Sequence, residues 1–193
     1  MIRDHWIPYF RSAVPCKVSY LNEADARKLI TNPIGDFPLN YDPEAVKRLI
    51  QMTRCHPCLI QLACSALVDL KNEQRSRYAS VEDVEKALTK VLLETGDYVF
   101  RGVWNWIPLF GRQVLSVLAS AGRATVEQLA RSLRTTAEDV EHMVKRLAEA
   151  EVTEVTTDSS GQLACQFQVE LFRQWVEGYA ARVGIQFQQL YRE

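Results

Sequence analysis

The order of helix caps and alternating apolar positions in residues 109–180 constrains the fold most. GRQVLSVLASAG has the apolar spacing of a helix, Thr125 with Gln128 forms a capping box for a second helix, and Thr136 with Asp139 begins a third. EVTEVTT, a DSSG turn and the alternating QLACQFQV read as a β-hairpin, and ELFRQWVEGYA closes as a helix. Three helices, a two-stranded wing and a closing helix predict a winged helix-turn-helix.

A second group of capped amphipathic helices precedes this pattern. Caps are expected at Asn22, at Asp42 with Pro43 in the first helical position, and at Ser80 with Asp83 three residues later. The helix that begins at Pro57 is almost continuously apolar, which is typical of the central helix of a small bundle. The predicted fold class is therefore mainly α, a helical bundle followed by a winged helix-turn-helix with a two-stranded wing.

Two segments have a different character. CKVSYL, residues 16–21, is rich in β-branched and aromatic residues and predicts a strand, although the chain offers that strand no partner. Residues 98–108 contain several aromatic side chains, and we expect them to form a linker packed between two domains.

Composition and missing motifs exclude several classes of function. Lys plus Arg (23) nearly equals Asp plus Glu (24), so no overall field draws the chain to nucleic acid or to an anionic membrane. Apolar runs are too short for a transmembrane helix, the N-terminus lacks a secretory h-region, and the five cysteines suit a reducing compartment, so a cytoplasmic location is expected. There is neither a GxxxxGK[ST] nor a GxGxxG motif, so the chain is not expected to be an enzyme by itself.

The run VSYLNEADARKLITNPIGDFPLNYDPEAVKRLIQMTRCHPCLIQLAC resembles the segment that follows the core in STAND-type AAA ATPases, signal-transducing relatives of the NACHT and NB-ARC switches. The shared pattern is a last core strand, a helix, and a Gly-His-Pro-type turn that opens a lid helix. The later FRGVWNWIP and the winged helix resemble the rest of that arm. The resemblance implies residues 1–21 as a remnant of the ATPase core, 22–97 as a helical lid, 98–108 as an aromatic linker, 109–180 as the winged helix and 181–193 as a tail.

In this family the turn proline lies against the adenine and nearby polar residues approach the phosphates. The resemblance therefore implies that Arg54, His56 and Pro57 face ATP or ADP with Mg²⁺ in an intact parent protein, with the upstream ATPase core as partner. A helix N-terminus suits this role because its free N–H groups favour a phosphate. This sequence has Cys55 where the family commonly has glycine, and Cys58 where an aromatic residue is common.

Cys55 and Cys58 also form a CxxC motif. A thioredoxin-like site needs a βαβ frame that the surrounding helical pattern does not provide. A zinc site would need four ligands from a cluster that offers only Cys55, His56, Cys58 and Cys64, and haem attachment would need a histidine at Leu59. Small residues packed at a helix start explain the motif best.

The third helix of the winged helix would be the one that reads DNA. Its expected outward residues are Glu138, Glu141, His142 and Lys145, and residues 109–169 contain six basic and eight acidic residues. An acidic face repels the phosphate backbone, so docking on the ATPase core, on a protein partner or on a second copy is favoured over DNA binding. A winged-helix transcription regulator is the alternative function.

Overall fold

The computed structural model describes residues 20–157 and 161–179. Most of the predicted strand, residues 16–19, lies outside the described residues, as do the rest of the proposed core remnant and the tail. Tyr20 and Leu21 are described and are not part of a strand.

Four helices form the bundle that the capping pattern predicts. They are α1 (Glu23–Thr31), α2 (Pro43–Thr53), α3 (Pro57–Glu73) and α4 (Val81–Lys90). Two short strands, β1 (Asn40–Tyr41) and β2 (Tyr78–Ala79), pair in parallel and connect the loops that precede α2 and α4. The sequence did not indicate this pair, because two residues are too few for an alternating pattern.

The expected caps begin the helices of the bundle. The Asn22 side chain accepts the N–H of Asp25, Asp42 accepts that of Glu44, and Ser80 and Asp83 form a reciprocal capping box. As the apolar run predicts, α3 is the central helix. Its buried side chains include Leu59, Ile60, Ala63, Ala66 and Leu67.

The structure corrects the prediction of a linker at residues 98–108. A π-helical turn, Val91–Thr95, continues directly from α4 and leads into α5 (Gly96–Trp106). The π turn needs a glycine at its end, because a Cβ on Gly96 would lie 2.5 Å from the Val91 carbonyl oxygen. The segment forms a helix although Gly96 and Gly102 lower its helix propensity.

The winged helix-turn-helix is confirmed, and it gains one strand. It comprises α6 (Leu109–Ala121), β3 (Arg123–Thr125), α7 (Val126–Leu133), α8 (Ala137–Glu149), β4 (Thr153–Thr157), β5 (Leu163–Phe167) and a last helix, α9, over residues 170–179. The hairpin β4–β5 is the predicted wing. The unpredicted β3 pairs antiparallel with β5, which gives a three-stranded sheet of order β3-β5-β4.

An aromatic cluster joins the bundle to the winged helix. Phe100 and Trp104 of α5 pack on Phe172 and Trp175 of α9, with ring centroids 5.6–6.1 Å apart. Trp175 is 2% exposed, and its indole N–H donates to a carboxylate oxygen of Asp97 at 3.0 Å. Phe100 and Trp104 therefore lie between the two units, whereas Tyr98 and Trp106 of the same helix are exposed.

A buried ion pair ties α3 to α4. Lys71 and Asp83 are 6% and 8% exposed, and Lys71 Nζ lies 2.9 Å from an Asp83 carboxylate oxygen. Burial alone would raise the pKa of Asp83, but the Ser80 backbone N–H and the Lys71 ammonium outweigh it and lower that pKa to about 2. The capping box of α4 is thus also the site of a charge pair in the core.

Lys71→Ala is expected to destabilise the fold by about 3–5 kcal/mol, because it leaves the Asp83 carboxylate buried without its cation. The pKa of Asp83 is depressed in the folded state, so its contribution is complete above the unfolded pKa and is lost as pH falls from about 4 towards 2. Urea unfolding at pH 7 and at pH 3 measures both effects. Lys86→Ala, which removes an exposed pair with Glu82, should have a much smaller effect, because solvent screens that pair. Equal losses for the two variants would contradict the assignment.

Candidate functional site

The turn between α2 and α3, residues 54–57, has an unusual backbone. Arg54 and Cys55 both adopt the left-handed conformation, with φ of 50° and 60°. His56 then returns to an extended conformation as the N-cap of α3, and Pro57 occupies the first helical position. Two consecutive non-glycine residues in the left-handed region store strain, which the surrounding contacts must hold in place.

Tyr20 and Leu21 contact this turn and hold it in place. The Leu21 N–H donates to the Cys55 carbonyl at 3.0 Å, and the Tyr20 ring meets the His56 ring edge-on at 5.4 Å. Within the turn, the His56 N–H donates to the Thr53 carbonyl at 2.9 Å. The backbone at Cys55 is therefore fixed by hydrogen bonds on both sides.

The predicted nucleotide-facing residues lie where the bundle meets the winged helix. Arg54 is exposed and forms an ion pair with Glu154 of β4. His56 and Pro57 are half-buried, and His56 lines a cleft of about 190 Å³ with Tyr20 and Glu151. The Tyr20 hydroxyl donates to the Glu151 carbonyl at 3.4 Å, which adds a second link to the winged helix.

The residues that the structure describes do not satisfy every hydrogen-bonding group of the His56 imidazole. Its Nδ1 is buried and has no hydrogen-bond partner among them, and its side chain does not cap α3. Burial lowers the pKa of His56, so the neutral ring is favoured. The turn thus presents a neutral histidine, an arginine and an uncapped helix N-terminus at one place.

This arrangement does not form a complete nucleotide site. The cleft of about 190 Å³ is smaller than the roughly 300 Å³ at which small-molecule pockets begin, and its walls are mostly apolar. The guanidinium of Arg54 is engaged with Glu154. A phosphate could be held here only if Arg54 left that carboxylate and other parts of a protein supplied the remaining donors.

The environment of Cys55, the first cysteine of the CxxC motif, differs from that of a redox-active cysteine. Burial raises the pKa of the Cys55 thiol, whereas redox-active cysteines have a lowered pKa. Cys64 lies beyond the turn in α3, and burial raises its pKa to about 12. Across residues 20–157 and 161–179, no group of three or more His, Cys, Asp or Glu side chains is placed to hold a metal ion.

The predicted recognition-helix surface lies on α8. Glu138, His142 and Lys145 are exposed and Glu141 is half-buried, while Lys145 Nζ lies 2.5 Å from a Glu141 carboxylate oxygen. The opposite side of α8 packs into the winged-helix core through Val140, Met143, Val144 and Leu147. Lys145, the cation among these four residues, is therefore already paired with an acid.

Sequence reasoning missed the partners of the turn. Tyr20 contacts His56 and Glu154 contacts Arg54, and Glu151 lines the cleft beside His56. Glu154 is a hundred positions from Arg54. No local pattern marks such a pair. The described helices also include none long and apolar enough to cross a membrane.

Among known proteins, similarity to this chain is found in solved structures. No family model matches the chain, and no curated protein matches its sequence. Among solved structures, the Holliday junction branch migration motor RuvB of Thermotoga maritima aligns at 13% identity and a TM-score of 0.39, over 76% of this chain and 47% of that one. The chain thus spans about half the length of that protein.

Two smaller proteins also align. YusO of Bacillus subtilis does so at 13% identity and a TM-score of 0.35, over 67% of this chain and 85% of its own. The adhesin competence repressor AdcR of Streptococcus pyogenes does so at 15% identity and a TM-score of 0.35, over 57% and 83%. At this level of similarity, the winged-helix assignment depends on the helices and strands of the chain itself.

Cys55→Gly is expected to stabilise the fold by about 0.5–1 kcal/mol, because glycine adopts the left-handed conformation without a steric cost. Cys58→Gly is the matched control. Cys58 lies in the first turn of α3, where glycine should destabilise by about 0.5–1 kcal/mol. Urea unfolding of both variants gives the comparison. A loss of stability in Cys55→Gly as large as in Cys58→Gly would show that residue 55 is not strained.

Proposed function

We propose that this chain is the regulatory arm of a signal-transducing switch ATPase, noncatalytic by itself, in which the helical bundle is the lid. In this proposal the turn at residues 54–57 exchanges between two partners, the nucleotide of an upstream core and the winged helix of this chain. The observation that carries the proposal is that two residues that the family resemblance assigns to nucleotide lie beside the winged helix: Arg54 is paired with Glu154 of β4, and His56 lines a cleft with Glu151.

The chemistry of Arg54 supports such an exchange. A guanidinium binds a carboxylate and a phosphate with the same planar pair of N–H donors, so Glu154 and a nucleotide phosphate compete for it. Side-chain exposures of 54% for Arg54 and 24% for Glu154 place the pair near solvent, where an ion pair contributes only about 0–1 kcal/mol. A phosphate can therefore displace Glu154 at small cost.

Coupling between the nucleotide and the winged helix requires two states of the turn, and the proposed exchange supplies them. A nucleotide shifts a conformational equilibrium only if it binds the two states with different affinity. If Arg54 binds either Glu154 or phosphate, the contact between Arg54 and Glu154 weakens nucleotide binding and the nucleotide weakens that contact, to the same extent. Tyr20 and His56 extend the contact, since both line the cleft against Glu151.

In the intact protein, Arg54→Ala and His56→Ala are each expected to weaken retention of ADP with Mg²⁺ about tenfold, because each removes a contact of the nucleotide-bound state. Glu154→Gln should instead strengthen retention about threefold, because it removes the competitor for Arg54. Dissociation of a fluorescent ADP analogue measures all three. Lys47→Ala, an exposed change in α2, is the control.

The opposite sign for Glu154→Gln distinguishes the exchange from a structural role, since damage to the fold would weaken retention in every variant. Unchanged retention in all three variants would contradict the proposal. So would the absence of a phosphate-loop domain from the reading frame upstream of Met1, because the nucleotide would then have no core to bind.

The alternative, a transcription regulator, makes a different prediction. The outward face of α8 carries more acidic than basic residues, so we expect this chain to bind duplex DNA with a Kd no tighter than about 10 μM at physiological salt. A fluorescence anisotropy titration of mixed-sequence duplexes at low and high salt tests this. A Kd below about 0.1 μM for one sequence, with a steep salt dependence, would favour the regulator.

A further inference from the structure

The outward face of α8 carries its charges in an ordered way. Glu138 and Asp139 lie in the first turn, and Lys145 and Arg146 lie two turns later. Lys145 is paired with Glu141, and Asp139 accepts the Thr136 hydroxyl at 2.6 Å. Glu138 and Arg146 are both exposed, and their side chains have no hydrogen bond or ion pair to any described residue. These two charges are thus opposite in sign and lie about 12 Å apart on one helix. Glu149, exposed in the last turn of α8, is a third charge without a partner among the described residues.

An apolar ridge runs along one flank of this helix. It consists of residues 106–110, the corner between α5 and α6, in which Trp106 is 64% exposed and Leu109 is 52% exposed. Trp106 lies beside Arg146 and Glu149 in a cleft of about 420 Å³. Phe110 lies beside Glu138 and His142 in a second cleft of about 520 Å³. The ridge therefore follows the exposed face of α8 from one end to the other.

We propose that this face, α8 with the 106–110 ridge, binds a second copy of the same chain across a twofold axis that passes by His142. Antiparallel pairing about that axis brings Glu138 of each copy to Arg146 of the other, because the two residues are equally distant from residue 142. A twofold interface requires this reciprocity, in which residue i meets residue j and j meets i.

The same axis also explains why the ridge has exposed apolar side chains. A twofold axis that lies in the interface and is perpendicular to α8 reverses the direction of the helix but leaves its flanks on the same sides. The ridge of one copy therefore meets the ridge of the other, and Trp106 and Leu109 are covered by apolar neighbours. An aromatic centre with charged pairs around it is the usual composition of a protein interface.

The inference does not depend on the proposed ATPase arm, because it rests on α8 and the ridge alone. The inference also explains the charges of α8. This helix has the position of a recognition helix in a winged-helix protein, but its outward charges do not suit DNA binding. A helix with an acidic end and a basic end does not match the uniformly negative phosphate backbone of DNA. It does match a second copy of itself that runs in the opposite direction, because each end then meets a charge of opposite sign.

Sedimentation equilibrium of the full chain tests the proposal. The expected result is a reversible increase from the chain mass of 22.1 kDa to twice that value as concentration rises from about 1 μM to about 1 mM. Glu138→Arg and Arg146→Glu are each expected to raise the dimer Kd about tenfold, because each brings like charges together twice in one interface. The double variant Glu138→Arg/Arg146→Glu restores both pairs with the charges exchanged and should return the Kd to within about threefold.

Trp106→Ser should also raise the Kd about tenfold, since it removes the largest exposed apolar side chain of the ridge. Glu73→Arg, an exposed charge reversal at the end of α3, is the control and should leave the Kd unchanged. Thermal unfolding of each variant verifies that the fold persists. A chain that stays monomeric at about 1 mM overturns the proposal. A dimer that ignores both single reversals, or a double variant that is no better than either, overturns it as well.

Discussion

The stacking of α5 on α9 is the constraint on which the arrangement of this molecule depends. Phe100 and Trp104 meet Phe172 and Trp175 in a buried cluster, and each aromatic pair contributes about 0.5–1.5 kcal/mol beyond the apolar area that it buries. The ion pair between Arg54 and Glu154 contributes about 0–1 kcal/mol. The aromatic joint therefore fixes the position of the winged helix, and the contacts at the 54–57 turn follow from that position. Because the ion pair is the weaker of the two contacts, it is the contact that the proposed exchange would break while the aromatic joint stays in place.

The sequence was sufficient where local interactions decide the structure. A cap such as Ser80 with Asp83, or Thr125 with Gln128, satisfies free N–H groups within four residues, so the start of the helix can be predicted without its neighbours. The sequence failed where a distant contact decides. The helix α5 forms although it contains Gly96 and Gly102, because packing against Phe172 and Trp175 outweighs about 1 kcal/mol of propensity for each glycine. The two-residue strand β1 likewise needs β2, thirty-eight positions later.

In the candidate site, too, the sequence indicated some of the residues but not their distant contacts. The sequence and the family resemblance drew attention to Arg54, His56 and Pro57, but they gave no indication that Glu154 or Tyr20 contacts them. The departure at Cys55 proves informative, because the backbone keeps the left-handed conformation that glycine would favour and holds it through the hydrogen bond from Leu21. The turn thus has the backbone that glycine adopts most easily, with cysteine at that position. A strained turn that is held by contacts on both sides is a reasonable position for a switch, since loss of those contacts releases the strain.

The order of the charges along α8 also has an explanation that involves no second copy of the chain. Acidic residues in the first turn and basic residues near the end stabilise any helix through its dipole, by about 0.3–1 kcal/mol each. That effect explains the order of the charges, and it acts within one copy. It does not explain why Glu138 and Arg146 have no partners among the described side chains, or why Trp106 and Leu109 stay exposed beside them. A dipole effect would make both single reversals and the double reversal lose stability additively. A twofold interface instead couples the two positions, so that the second reversal repairs the first, and this coupling distinguishes the two explanations.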